Sequence, residues 1–357
     1  MNKQASHETI TKENVTLTDV AREAGVSQAT VSRVINKYPQ ITERTRLKVY
    51  QAAESLGYKL ADAERRSTQN GRRFSVCLLL CPLQEQIDML SLDYFNRIVA
   101  GMHGHFDPLG NVDFSLQTWQ VGRGGHADNE RLLERLERID GFLITGNPEV
   151  QLLERLRRFG KSFVCVSTNR DDFQIDSVNS DNVYSGKLAA RYLISHGYRR
   201  VGWLGGPRHI YSWSSRKMGV LFEVLSHSDT VSFSFRDSPS TEVSDMAGAL
   251  HQWMDEKDFP EALVLPCNTS VNALERVMVE RGLKAPRDLG FITFDKPMGT
   301  FCSPAYIETF PEQVGMKSAQ RIMEIIRNGA TDEIPHQILV PTSLVEGDSV
   351  QPLRGQA

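Results

Sequence analysis

Between Thr16 and Asn36 the chain writes two short amphipathic helices separated by one glycine, and few folds accommodate that arrangement. Thr16-Leu17-Thr18-Asp19 sets a hydroxyl three residues ahead of a carboxylate, the reciprocal pattern that closes the first turn of a helix. Val20, Ala21 and Ala24 then fall three or four apart on one face. Gly25 supplies the left-handed backbone that ends this helix in a sharp turn, and Val26 fills the turn's interior. Ser27 is a strong N-cap for a second helix whose inward stripe is Val31, Val34 and Ile35. A third helix is predicted over 43–56, capped by Thr42, with Val49, Ala53 and Leu56 buried and Gly57 as the stop.

The second helix presents Gln28, Ala29, Ser32, Arg33 and Asn36 outward. Such a face suits the DNA major groove, where arginine bridges guanine O6 and N7 and glutamine bridges adenine N6 and N7. Thr18, Ser27, Thr30 and Asn36 carry groups that bind phosphate oxygens, which fixes orientation without reading sequence. A plain helical hairpin with Arg33 on a solvated face is the competing reading. Charge points the same way as the groove reading: residues 1–73 hold 13 Lys and Arg against 8 Asp and Glu, net +5, whereas residues 74–357 hold 28 against 36, net −8. A small basic module releases counterions from a phosphate backbone, and a larger acidic body is repelled by it.

The strings Val15-Thr16-Leu17-Thr18-Asp19-Val20-Ala21 and Ala24-Gly25-Val26-Ser27-Gln28-Ala29-Thr30-Val31-Ser32-Arg33-Val34-Ile35-Asn36 resemble the helix-turn-helix signature of the lactose-repressor (LacI/GalR) family. The resemblance continues from Ile41 to Glu54-Ser55-Leu56-Gly57-Tyr58. It implies that Gln28 and Ala29 occupy the variable base-reading positions and that Arg33 is the arginine of the same helix. Beyond Tyr58 the sequence departs from that family. Leu60 and Ala61 stand where its members carry proline and asparagine, and Ser67 stands where a leucine wedges into the minor groove. Unstacking a base step costs a few kcal/mol and uses an inserted apolar side chain, so the usual kinked operator centre is not expected.

A polar linker over residues 67–73 leads into apolar runs that alternate with amphipathic stretches, the pattern of a parallel α/β fold. Strands are predicted over 74–81, 112–119, 141–145 and 162–167, with helices over 93–105, 127–139 and 149–159. A second series of strands follows over 200–204, 231–235, 262–265 and 289–294. The expected architecture is an all-α helix-turn-helix headpiece followed by a two-lobed α/β core with parallel sheets, like the periplasmic binding proteins. Its divisions are residues 1–14 as an N-terminal extension, 15–59 as headpiece, 60–73 as hinge and 74–357 as an effector-binding and dimerisation core. Lobe 1 is expected over about 74–177 and 306–333, and lobe 2 over about 178–305 and 334–357.

The core also resembles the family. Residues 178–182 with Gly186, the run His196-Gly197-Tyr198-Arg199-Arg200-Val201, the arginine-x-x-glycine of Arg216-Lys217-Met218-Gly219 and the aspartate-ending strand Gly290-Phe291-Ile292-Thr293-Phe294-Asp295 match in order. By family position Arg216 and Asp295 hold the effector, a donor and an acceptor that together orient hydroxyl, carbonyl or carboxylate groups. Asn268 follows, though Thr269 stands where many relatives carry aspartate. Tyr94, Phe95, Ser167, Asn169 and Trp213 sit near predicted strand ends or helix starts, where such folds bind ligands. For the aromatic residues core packing is the competing role.

Other classes find little support. No apolar run reaches bilayer-spanning length and no export signal is evident, which places the protein in the cytoplasm with the nucleoid. The five cysteines, Cys77, Cys81, Cys165, Cys267 and Cys302, show no zinc spacing and read as reduced core thiols. Neither an HExxH pair nor a GxSxG elbow occurs, and Gly122-Arg123-Gly124-Gly125 lacks phosphate-loop spacing, so no enzyme activity, metal or cofactor is expected. The expected protein is a repressor that binds a palindromic duplex operator as a homodimer and responds to a sugar or related metabolite. The alternatives are a regulator that no longer senses a ligand and a solute-binding protein without gene control. The tail from Gly347 has no leucine heptads and offers no tetramerising coil.

Overall fold

The computed structural model describes residues 15–35, 41–58, 72–82, 92–119, 129, 134, 136–170, 172–297, 302–328 and 334–353. The chain divides into two units, Met1–Arg73 and Phe74–Ala357.

In the first unit, α1 (Leu17–Ala24), α2 (Gln28–Ile35) and α3 (Glu43–Ser55) enclose a small core. The Thr16 hydroxyl accepts from the Asp19 amide at 3.3 Å, and the Asp19 carboxylate accepts from the Thr16 amide at 2.9 Å. Those bonds hold the Asp19 carboxyl below its usual range. Gly25 turns at φ 64°, ψ 37° and donates to the carbonyls of Ala21 and Arg22. Ser27 Oγ accepts from the Thr30 amide at 3.1 Å and starts α2. Val20, Val31, Val34, Val49 and Ala53 are fully buried. Each valine contributes roughly 1.5–3 kcal/mol by leaving water, which is what a module this small has to hold it together.

The second unit contains two six-stranded sheets. The first takes β1 (Phe74–Cys81), β2 (Val112–Thr118), β3 (Gly141–Gly146), β4 (Ser162–Val166), β5 (Asp176–Ser180) and β11 (Gln337–Val340), in the order β11-β5-β4-β3-β1-β2. The second takes β6 (Arg200–Gly205), β7 (Ser232–Asp237), β8 (Ala262–Val264), β9 (Gly290–Phe294), β10 (Ala305–Glu308) and β12 (Ser343–Val345), in the order β12-β10-β9-β8-β6-β7. All neighbours are parallel except β10 and β12. Central strands such as β1, β3 and β9 are apolar along almost their whole length because both faces are covered. The covering helices are α4 (Asp93–Phe106), α5 (Val150–Arg158), α6 (Asn182–Ser195), α7 (Tyr211–Leu225), α8 (Val243–Met254), α9 (Asn268–Arg281) and α10 (Pro311–Asn328).

One helix pair in each lobe meets backbone to backbone. A methyl group at Gly101 of α4 would overlap the Glu312 carbonyl of α10, and one at Gly315 of α10 would overlap the Ile98 carbonyl of α4. In lobe 2 a methyl at Gly186 of α6 would strike the Arg216 carbonyl of α7, and one at Gly219 would strike the Val183 carbonyl of α6. Reciprocal glycines therefore set how closely each pair approaches.

The chain passes between lobes three times, and strand pairing puts the passages a few residues away from the expected ones. Residues 178–180 complete β5 in lobe 1 instead of opening lobe 2, since Val178 pairs with Val166. Residues 306–308 belong to lobe 2, where Tyr306 pairs with Thr293. Residues 337–340 belong to lobe 1, where they run parallel to β5. The passages bond to one another: Ser180 Oγ donates to the Thr309 carbonyl at 2.7 Å, the Asp181 amide to the Val340 carbonyl at 2.9 Å, and Ser185 Oγ to Thr342 Oγ1 at 3.0 Å. Of the helix expected over 127–139, residues 129, 134 and 136 are helical and most of the rest lies outside the described residues. The linker with Ser67, the loop of Gly122 to Gly125 and Asn36 also lie outside them.

Candidate functional site

The headpiece presents one polar face. Gln28, Ala29 and Arg33 are exposed along α2, with Val31 and Val34 fully buried behind them. Thr18 and Ser27 are exposed, and Thr30 is half-buried with its hydroxyl 2.9 Å from Ser27 Oγ. The Ser32 backbone lies within α2, and its side chain lies outside the described set. Arg33 thus projects from a helix whose start is fixed by a cap and whose back is fixed by two valines.

The core carries a cavity of about 570 Å³ between its lobes, at the carboxyl ends of the strands. Lobe 1 contributes Tyr94, Phe95 and Arg97 from α4, Gly146 after β3, and Ser167 and Thr168 after β4. Lobe 2 contributes the larger wall, from the starts of α7, α8 and α9 and the end of β9. The N-caps Leu92, Ile210 and Glu242 make no side-chain cap bond, so α4, α7 and α8 bring first-turn amides without a side-chain cap to the cavity wall.

Arg216 is the most constrained polar group there. It is 3% exposed, donates from Nε to Asn182 Oδ1 at 2.9 Å and from Nη1 to the Pro266 carbonyl at 2.8 Å, and lies 4.4 Å from the centre of the Phe294 ring. Among the described residues Nη2 has no hydrogen-bond partner. Asp295 ends β9 in left-handed backbone at φ 60°, which turns its carboxylate to accept from the Thr309 amide and hydroxyl. Burial raises the Asp295 carboxyl above its ordinary range, and Arg216 opposes that shift. Tyr94 and Ser167 share a 2.6 Å hydroxyl bond, and burial raises the Tyr94 phenol with Asp295 adding to the effect. Asn268, in the first turn of α9, is exposed on the cavity wall.

The structure therefore brings together Arg216, Asp295, Asn268, Tyr94, Phe95, Ser167 and Trp213. Asn169 stands apart from them. Ser167 turns the chain at φ 55°, so that Ser167 and Thr168 reach the cavity, while Asn169 is absent from its lining. Sequence reasoning missed Arg97, Glu242, Cys267, Asn272 and Lys296. Asn272 was legible in principle, lying one helical turn after Asn268 on the same face. Arg97 was not, because its ion pairs to Glu308 and Glu312 join residues more than 200 positions apart in the chain. Cys267 opens α9 and reaches the cavity with its thiol raised by burial. Among the described residues no cluster of three or more His, Cys, Asp or Glu is placed to hold a metal, and no helix is long and apolar enough to cross a membrane.

A helix-turn-helix headpiece joined to a two-lobed cleft defines a DNA-binding transcription regulator with a ligand-binding core. Residues 16–59 match the bacterial regulatory proteins of the lacI family, and residues 190–350 match the periplasmic binding protein-like domain. The HTH-type transcriptional repressor PurR of Photorhabdus laumondii subsp. laumondii is 27% identical over 353 residues, covering 94% of this chain and 98% of that protein. The transcriptional regulator CelR in complex with cellobiose shares the fold at TM-score 0.67 and 23% identity, over 94% of this chain and 100% of that one. The Lac repressor dimer bound to operator and the anti-inducer ONPF does so at TM-score 0.66 and 20% identity, over 95% and 100%. The chain belongs to the LacI/GalR family of transcriptional regulators.

Proposed function

We propose that the protein is a cytoplasmic repressor that reads a palindromic operator as a homodimer and whose operator affinity is controlled by binding of a neutral, hydroxylated metabolite of the sugar class. The observation that carries the effector reading is the buried Arg216 guanidinium, held over Phe294 by two bonds with Nη2 left for a ligand, beside Asp295 and Asn268 in one cavity. Donor and acceptor so placed fix the hydroxyls of a sugar ring in orientation. The ionisable residues of the lining balance, with Arg97, Arg216 and Lys296 against Asp93, Glu242 and Asp295, which favours a neutral ligand over an ion. The cellobiose bound by CelR and the glucose bound by CCPA of Weissella paramesenteroides belong to the same class of molecule.

On DNA, Arg33, Gln28 and Ala29 read base edges from the groove-facing side that Ser32 shares, while Thr18, Ser27, Thr30 and Asn36 position the headpiece on the backbone. One recognition helix makes few base contacts, and a two-fold partner doubles them. The Lac repressor, which shares this fold, was solved as a dimer on its operator. The protein acts by binding alone, with no catalytic step.

The test is to select an operator from random duplex with the purified protein and then titrate sugars against the complex. Arg33→Ala should lose discrimination among selected and scrambled duplexes. Arg216→Met should keep operator affinity and lose the sugar response by roughly thirtyfold or more, the loss of a charge-assisted bond of about 2–3 kcal/mol. Operator selectivity unchanged in Arg33→Ala, or a sugar response unchanged in Arg216→Met, sinks the respective assignment.

A further inference from the structure

We infer that Asn182 and Thr309, neither of which lines the cavity, are positioning residues: each holds one of the two charged groups of the cavity against a passage between the lobes, and through them effector occupancy reaches the operator. This rests on the reading of the cavity as the effector site and concerns how that site reports occupancy, whatever the ligand.

Arg216 and Asp295 each have a side left for a ligand and a side already bonded. Arg216 keeps Nη2 for the cavity and donates from Nε to Asn182 Oδ1 at 2.9 Å. Asp295 accepts from the amide and the hydroxyl of Thr309, both on Oδ1, and among the described residues its Oδ2 has no hydrogen-bond partner. The bonded sides therefore rest on residues outside the cavity lining. Asn182 is the first residue of α6, just past the end of β5 at Ser180, where the first passage enters lobe 2. Thr309 directly follows β10 of lobe 2, and Pro311 already begins α10 of lobe 1, so Thr309 lies within the second passage.

The two passage residues are themselves joined, because the Thr309 carbonyl accepts from Ser180 Oγ at 2.7 Å. Bonds thus run from Asp295 to Thr309, across to Ser180, along the chain to Asn182 and on to Arg216. A ligand that bridges Nη2 and Oδ2 closes this path into a ring, with the cavity on one side and two passages on the other. Hydrogen bonds weaken steeply as their angle departs from linear, so a ligand that shifts either charged group loads the passage behind it, and turning at the passages shifts both groups. Water cannot stand in for these links, since Thr309, Ser180 and Asn182 are all buried, and a buried polar group that loses its partner carries its full desolvation cost. The Pro266 carbonyl, which holds Nη1, is the contrasting case: it follows β8 within lobe 2 and fixes the guanidinium without touching a passage.

The experiment measures a coupling factor, the ratio of operator Kd values of the full chain with and without a saturating sugar, a quantity that is typically roughly 5–150-fold between coupled sites. The operator is one selected from random duplex, and the probe is whichever member of a panel of neutral mono- and disaccharides, glucose and cellobiose included, changes that ratio most. Thr309→Val removes the hydroxyl and keeps the shape, and Asn182→Leu removes the acceptor and keeps the size; each should bring the factor at least fivefold closer to one. Thr309→Ser and Asn182→Asp, which keep the donor and the acceptor, should hold it within twofold of the original. Ser180→Ala touches neither charged group and tests the same path if Asn182→Leu fails to fold: it should lower the factor while the sugar Kd of the DNA-free protein stays within twofold. A residue that only supports the fold would shift Tm and both affinities and leave the factor alone. A factor unchanged in Thr309→Val and Ser180→Ala overturns the inference and leaves the sugar-effector reading standing, and so does an equal loss in the Val and Ser variants of Thr309. A panel in which no sugar changes operator affinity overturns the effector reading, and this inference falls with it.

Discussion

Lobe 1 and lobe 2 share one strand order and one way of locking a helix pair through glycines, yet they divide the work of the cleft unequally. The charged and amide groups proposed to hold the ligand, Arg216, Asp295 and Asn268, all belong to lobe 2, whereas lobe 1 adds Tyr94 and Ser167, which are neutral and bonded to each other. Arg97, the cation that lobe 1 brings to the cavity, is already paired with Glu308 and Glu312. The same fold can therefore serve as the grip on one side and as the cover on the other. The difference lies in the side chains carried at the strand ends and early helix turns and not in the strand order.

The most damaging way to probe this division is at the glycines. Gly186→Ala and Gly101→Ala each drive a methyl into a backbone carbonyl that cannot turn aside, and overpacking of that kind costs about 1–3 kcal/mol or more. Thermal denaturation should show a drop in Tm of several degrees for both. Only Gly186→Ala presses directly on Arg216, so ligand titration should show its effector affinity falling at least tenfold further than that of Gly101→Ala. Equal losses of affinity would mean that the lobes share the grip.

A smaller effect of opposite sign is expected at Asp295. Its folded-state pKa is raised by burial, so the native state keeps that proton to higher pH than the unfolded chain does. The ionised form therefore costs stability, and the cost grows as pH rises above the unfolded chain's carboxylate range towards the raised folded-state pKa. Asp295→Asn should raise Tm at pH 7, and the gain should vanish where both states are protonated, while effector binding weakens. Asparagine tolerates the left-handed backbone at this position, so the variant isolates charge. A Tm that falls at pH 7 would show that the pairing with Arg216 outweighs burial.

The smallest effect belongs to the ion pair that joins the lobes. Arg97 Nη2 lies 2.9 Å from Glu308 Oε1, which projects from the other lobe's sheet, and Arg97 Nε lies 2.6 Å from Glu312. Glu308→Gln should change effector affinity only a few-fold, and the change should shrink with added salt, since partly exposed pairs are modest and screened. A salt-independent change would point to packing instead.

What was legible in the sequence follows from how local the physics is. The headpiece is written in caps and stripes a few residues long, and Thr16, Gly25 and Ser27 act as their types dictate. The buried strands announce themselves as short apolar runs, and most helices of the core as amphipathic ones. The passages between lobes were displaced because Ser177, Asn179, Gln337 and Ile338 carry no periodicity that names their partner; only pairing between β5 and β11 settles it. The family's pattern pointed to Asp295 and Arg216, which line the cavity, whereas Asn169 lies outside that lining, past a positive φ at Ser167 that is invisible in a side-chain pattern. The glycine pairs escaped for a related reason, since a glycine in a helix shows only its cost and never the carbonyl that requires it.

Those pairs have a mechanical consequence. Sliding of one helix over another needs a layer of side chains that can shift rotamers between them. Where α4 meets α10 and α6 meets α7, backbone rests on backbone and that layer is missing. Shear between the two helices of each of these pairs is thereby hindered. Rotation of one lobe against the other about the three linked passages near Ser180, Thr309 and Val340 would require no such sliding. A pivot confined to one edge acts as a lever, so a change of a few tenths of an ångström beside Arg216 becomes a far larger displacement at the outer rim of the cleft.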